Sequence, residues 1–163
     1  IYQVETETES YEFTAELTQS DENGKAFNWS MTTNDGISGS VTMSPEAVES
    51  ATKTYNYFRD GEEAMLEDQT SVWVSNLVYK KIVNGSSVTL DNGGGEKSFN
   101  TTGEVVYHLD VNGAHAHVQA LSVKSEDESE QVDVLSASDY QNPLIMGMKF
   151  PTWSIRLVRV EKR

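Results

Sequence analysis

The sequence predicts a mainly β protein: an antiparallel sandwich or barrel-like single domain spanning residues 1–163, with one or two short helices. Three observations carry that expectation. Apolar and polar residues alternate with a period of two in many short runs, the pattern of half-buried strands. Between the runs stand clusters of Asn, Asp, Ser and Gly, at Ser20–Lys25, Asn34–Gly36, Asp91–Lys97 and Asn112–Gly113, and these residues supply turn geometry. Helical spacing and capping are confined to two stretches, after Ser44 and after Ser75. A chain of 163 residues fits one domain and is long enough to bury roughly 70% of the surface its unfolded form exposes.

In chain order, Glu5-Thr-Glu-Thr-Glu9 is too acidic to bury, so the first predicted strand is Tyr11, Phe13, Ala15 and Leu17 alternating with Glu12, Thr14, Glu16 and Thr18. Ser20–Lys25 reads as a hairpin turn, since Asp21, Asn23 and Gly24 lack the spacing and closing Glu of a calcium loop. Phe27, Trp29 and Met31 form the next strand, Asn34–Gly36 turns the chain, and Ile37, Val41 and Met43 return it. Ser44-Pro45-Glu46 then combines a capping residue, a proline at the first helical position and an acid in the first turn. With Val48, Ala51, Tyr55 and Phe58 at spacings of three and four, it predicts a helix from Pro45 to about Phe58, its stripe buried on the sheet.

Ala64–Leu66 and Val72–Val74 read as short strands. Ser75 can cap a helix through Leu77–Ile82, with Lys80 and Lys81 at its negative end and Gly85 closing it; one long strand through these residues is the alternative. Ser87–Leu90 is a strand, and the glycines of Asp91–Lys97 form a mobile loop, not a phosphate loop, because no Gly-Lys-Ser/Thr follows. Ser125–Glu130 is a charge run read as a solvated turn. Val132–Leu135 is a strand, 136–143 a loop, Leu144–Phe150 apolar on both faces, and Trp153–Val160 a last strand that must be paired to avoid an exposed apolar edge. About nine or ten strands result, with Trp29, Trp73 and Trp153 expected in the core.

The clearest local signal is Glu104–Gln119, which holds all three histidines. Asn112-Gly113 is the preferred chemistry of a type I′ turn, whose two residues both need positive φ. A two-residue turn sets Val111 opposite Ala114, Asp110 opposite His115, Leu109 opposite Ala116, His108 opposite His117 and Tyr107 opposite Val118. One face then carries Tyr107, Leu109, Val111, Ala114, Ala116 and Val118, and the other gathers His108, Asp110, His115 and His117. Opposed Cβ atoms in a hairpin lie about 4.5–5.5 Å apart, so three imidazoles and a carboxylate are candidates to ligate zinc, nickel or copper. A hydrated polar surface is the competing reading, with no cofactor at all.

Composition narrows the function classes. Twenty-six Asp and Glu against twelve Lys and Arg give a net charge of −14, which repels nucleic-acid phosphates and anionic membranes. Zero cysteine removes thiol catalysis, disulfides and cysteine-ligated metals. No apolar run approaches the ~20 residues of a spanning helix. The Gly-X-Ser-X-Gly elbow, the His-Glu-X-X-His helix and the dinucleotide fingerprint are absent. The expectation is therefore a non-enzymatic partner-binding or accessory domain, with a protein or glycan as partner, and a metal-binding protein or metal-dependent enzyme as the alternative. Ile1 in place of Met leads to a second expectation, export to the periplasm, cell surface or medium after loss of a signal or lipid-anchor segment. Sequons at Asn28, Asn84 and Asn100 matter only in a eukaryotic secretory setting.

Leu66–Ser75 leading into Leu77–Ile82, together with Asn142–Met148 and the closing Trp153 strand, resemble segments of uncharacterised, exported bacterial β-rich domains of unknown function. The likeness covers about a quarter of the chain through motifs of low specificity. It implies export and a helix over Leu77–Ile82, and it implies no activity and no site.

Overall fold

A computed structural model describes residues 1–33, 36–136 and 143–162. In chain order these residues form β1 (Tyr2–Thr6), β2 (Ser10–Asp21), β3 (Gly24–Met31), β4 (Ile37–Met43), α1 (Pro45–Ser50), β5 (Lys53–Thr54), β6 (Glu63–Leu66) and β7 (Gln69–Thr70). There follow α2 (Asn76–Val83), β8 (Val88–Asp91), β9 (Glu96–Val111), β10 (Ala114–Ser125), β11 (Gln131–Leu135), β12 (Ile145–Lys149), β13 (Trp153–Leu157) and β14 (Arg159–Val160). All fourteen strands join one sheet in the order β6-β4-β3-β2-β1-β13-β12-β11-β10-β9-β8-β5-β7, with β14 beside β9. The two ends of that path, β6 and β7, are separated in the chain only by Glu67 and Asp68, so the sheet curls into a nearly closed barrel. Barrel is thus the form that the mainly β expectation takes.

Most predicted strands are where alternation places them. Phe27, Val41 and Met43 are fully buried, Trp29 nearly so, and the last strand is paired: β13 lies between β1 and β12, and β14 runs parallel to β9. Leu77–Ile82 is helical, as the capping signal predicts, and not the long strand given as the alternative. Ser75 Oγ accepts from the Val78 amide at 3.3 Å, and Val78, Tyr79 and Ile82 pack with Val88, Leu90 and Phe99 in one of two core clusters.

Several expectations need correction. Tyr2 and Val4 belong to a buried strand in the middle of the sheet order, because the outward residues of β1 and the turn after it take the acids while the alternate residues face inward. The helix after Ser44 stops at Ser50, not near Phe58. Ala51 turns extended (ψ 141°), Thr52 O accepts from the Asp91 amide, and Tyr55 N donates to Thr70 O, so strand pairing by a stretch with two β-branched threonines displaces the helix. Ala51 is buried and Val48, Tyr55 and Phe58 are partly buried on the core, so the stripe packs although only Val48 of the four is helical. Trp73 makes only an isolated bridge to Leu144, and the strand lies instead at Gln69–Thr70. The Asp91–Lys97 loop is tightened by Asp91 Oδ1, which accepts from the Gly93 and Gly95 amides at 2.9 and 3.0 Å. Glu130, assigned to a solvated turn, is buried against Lys97 Nζ at 3.0 Å. The expected turn at Asn34–Asp35 and most of the 136–143 loop lie outside the described residues.

Candidate functional site

Alternation on β1 sends Tyr2, Val4 and Thr6 to one side of the sheet, and register aligns neighbouring strands with them. Met148, Ile155, Val4 and Tyr11 form one row across β12, β13, β1 and β2, and Tyr2, Phe13 and Met31 form a second across β1, β2 and β3. Trp153 stands opposite Thr6 at the end. These rows are the floor of a cavity of ≈ 490 Å³.

The facing wall is the segment Tyr55–Phe58 with Ser71 and Val72. Phe58 packs its ring 4.9 Å from Phe13, 5.0 Å from Trp29 and 5.3 Å from Tyr55. Polar bonds hold the segment from outside: Asn56 Nδ2 donates to Asn92 O (2.8 Å), Thr54 Oγ1 to Asn92 Oδ1 (2.9 Å), and Asn92 Nδ2 to the buried Glu130 (3.1 Å). Tyr55 Oη donates to Glu62 Oε2 at 2.9 Å; burial, then that bond and the Glu62 charge, push its phenol up to about 12. Tyr2 Oη donates to Ile145 O at 2.8 Å, so that inward phenol carries no unsatisfied proton into the apolar space.

A second cavity of equal volume, ≈ 490 Å³, is lined by Trp73, Leu17, Leu135, Leu144 and Leu157 among others. Tyr2 and Val72 line both spaces. Val72 has φ 67°, a left-handed conformation that a β-branched side chain rarely adopts.

The hairpin holds the register set by its turn. Asn112 (φ 53°) and Gly113 (φ 82°) are both left-handed, and the five predicted pairs from Val111–Ala114 to Tyr107–Val118 are all present. Tyr107 and Leu109 are buried, whereas His108, His115 and His117 are exposed. His108 and His117 meet edge to face with ring centroids 4.4 Å apart. Asp110 Oδ1 accepts from the Gly113 amide at 2.6 Å and so is engaged by the turn. Among the described residues no group of three or more His, Asp or Glu is gathered to hold a metal ion. The hairpin therefore brings two of the four candidates ring to ring, while Asp110 and His115 stand opposite each other two pairs nearer the tip.

The cavity is what sequence reasoning missed. Its signal was present in Tyr2 and Val4, whose spacing of two precedes the acidic run, and in Tyr55 and Phe58, which carry aromatic rings past the helix end. Trp29 and Trp73 are core as expected, but Trp153 is half-buried on the cavity edge, stacked on Phe150 at 4.3 Å. No protein-family model matches the chain, and no curated protein or solved structure is significantly similar to it.

Proposed function

We propose that the chain is a non-enzymatic binding domain that holds a small, largely apolar ligand inside the barrel. The observation that carries this reading is the ≈ 490 Å³ cavity, within the range of about 300–1,000 Å³ typical of small-molecule sites and walled by aromatic and aliphatic side chains. Among its described lining residues there is no His, Lys, Arg or Asp, so the wall offers recognition by shape and apolar contact in preference to proton transfer. The test is a titration with small apolar compounds, read by tryptophan fluorescence, on the protein and on Ile155→Phe, which extends a ring into the cavity. Saturable binding lost in Ile155→Phe supports the reading. Absence of binding, or binding indifferent to Ile155→Phe, overturns it.

A metal-binding role is the second reading, favoured by the facing rings of His108 and His117. Zinc, nickel or copper would be held by these two imidazoles and completed by water, with His115 and Asp110 adjoining. Imidazole must be neutral to ligate, so uptake weakens as the medium is acidified. Stoichiometric uptake that is lost in a His108→Ala, His117→Ala double variant supports this role, and uptake unaffected by it removes the hairpin from consideration. Export to the periplasm or cell surface belongs to the same proposal, resting on the likeness of Leu66–Ile82 and Asn142–Met148 to exported bacterial domains. Fractionation that finds the native protein in the cytoplasm overturns it. No helix among the described residues is long and apolar enough to cross a membrane, and the −14 charge argues against a nucleic-acid partner.

A further inference from the structure

The cavity has a graded polarity. Its deep part is lined by Tyr2, Val4, Phe13 and Ile145, whereas Glu7, Thr8 and Thr152 at its rim are exposed, so the rim faces water and the apolar part lies behind it. A ligand fitted to that gradient is an amphiphile with its tail inside. The head group meets a rim of one sign. Glu7 lines it and makes no hydrogen bond or ion pair with the described residues, and Glu9, two residues on, lies close enough to Tyr11 that its charge adds to burial in raising that phenol. No Lys, Arg or His is among the described lining residues. Arg59, whose charge reaches Tyr55, lies over the Tyr57 ring at 4.9 Å and does not line the space. A carboxylate or sulfate head would therefore meet like charge from the rim and from a chain of net charge −14.

Aromatic faces complete the argument, because a ring presents its negative π face to a cation and Tyr and Trp do so best. Tyr11, close to Glu9, and Trp153, opposite Thr6, line the same cavity as the rim residue Glu7, where a head group would rest. The geometry points to a single-tailed cationic amphiphile, an alkyl amine or quaternary ammonium, as the ligand class of this cavity. The assignment rests on the cavity reading above and adds the sign of the head group to it.

The test compares octyltrimethylammonium, octanol and octyl sulfate, which share a tail and differ in charge, by calorimetric titration at low salt. The expected order is ammonium tightest, alcohol next and sulfate weakest, with ammonium favoured over sulfate by about tenfold or more, as a partly desolvated cation–π contact supplies. Added salt narrows that ratio, because exposed charges are screened. Glu7→Gln with Glu9→Gln, both on the exposed turn, brings ammonium toward alcohol and leaves alcohol unchanged. Equal binding of the three probes, or sulfate the tightest, overturns the head-group assignment and leaves the cavity reading standing. Failure of all three to bind overturns both.

Discussion

Val72 joins a backbone conformation to a place: φ 67° in a β-branched residue, at the wall shared by the two cavities. A left-handed conformation of this kind costs on the order of 1–3 kcal/mol. Glycine would relieve that cost while losing part of a valine's burial, roughly 1 kcal/mol for a half-buried side chain, and adding about 0.5–1 kcal/mol of chain entropy. Val72→Gly is therefore expected to change the urea stability by no more than about 1 kcal/mol. Val41→Gly, at a fully buried position without positive φ, should cost about 3 kcal/mol or more. Equal losses at the two positions would show that Val72 is not strained. On the same wall Tyr55 adds a pH-dependent term. Its phenol is held protonated from the usual 10.0 up to about 12, so its contribution is fully present below pH 10 and is lost as pH rises from 10 through 12. Tyr55→Phe should consequently lose stability over that window less steeply than the parent protein, by up to one proton in the slope of unfolding free energy against pH. Parallel curves would sink the claim.

At the scale of elements, the β9–β10 hairpin is the test of local chemistry. Asn112 sits at φ 53° with its Oδ1 accepting from the Lys162 amide at 2.7 Å. Asn112→Ala should cost about 1–2 kcal/mol, because alanine resists the left-handed region, while Asn112→Gly should stay within a few tenths. Chemical denaturation of the two variants decides it, and equal costs would assign the effect to the lost side-chain bond instead of the turn. This hairpin was fully legible in the sequence because turn type and alternation specify one register independently. Ser75 and Lys80–Lys81 made α2 legible for the same reason, since cap and charge agree. The stretch from Ala51 to Phe58 was not legible. Its spacing of three and four is satisfied equally by an extended segment that packs Tyr55 and Phe58 on the core, and the partners that decide between them, Asp91 and Thr70, are remote in sequence. The cavity was hidden by that same ambiguity. One wall is this misread segment, and the other runs through β1, whose Tyr2 and Val4 adjoin an acidic run that read as too acidic to bury.

For the molecule as a whole, the two walls come from different parts of the chain: a floor of strands in the middle of the sheet path, and a wall carried between β5 and β6 near its ends. The last two strands of the path, β5 and β7, hold only two residues each and pair in parallel, whereas β9 and β10 pair over their lengths. Local opening should therefore start at β5, β7 and the Tyr55–Phe58 wall and be slowest at β9–β10. A ligand that touches floor and wall together binds only when that junction is closed. At a free concentration one hundred times its dissociation constant it stabilises the fold by about 2.7 kcal/mol, which in a domain of this size raises the melting temperature by roughly 5–10 °C. Amide exchange measured with and without octyltrimethylammonium should show added protection concentrated at Lys53–Phe58 and Gln69–Val72. Protection gained only at the β9–β10 hairpin tip would place the ligand on the histidine face instead, and an unchanged melting temperature at saturation would show that nothing bridges the barrel's floor to its wall.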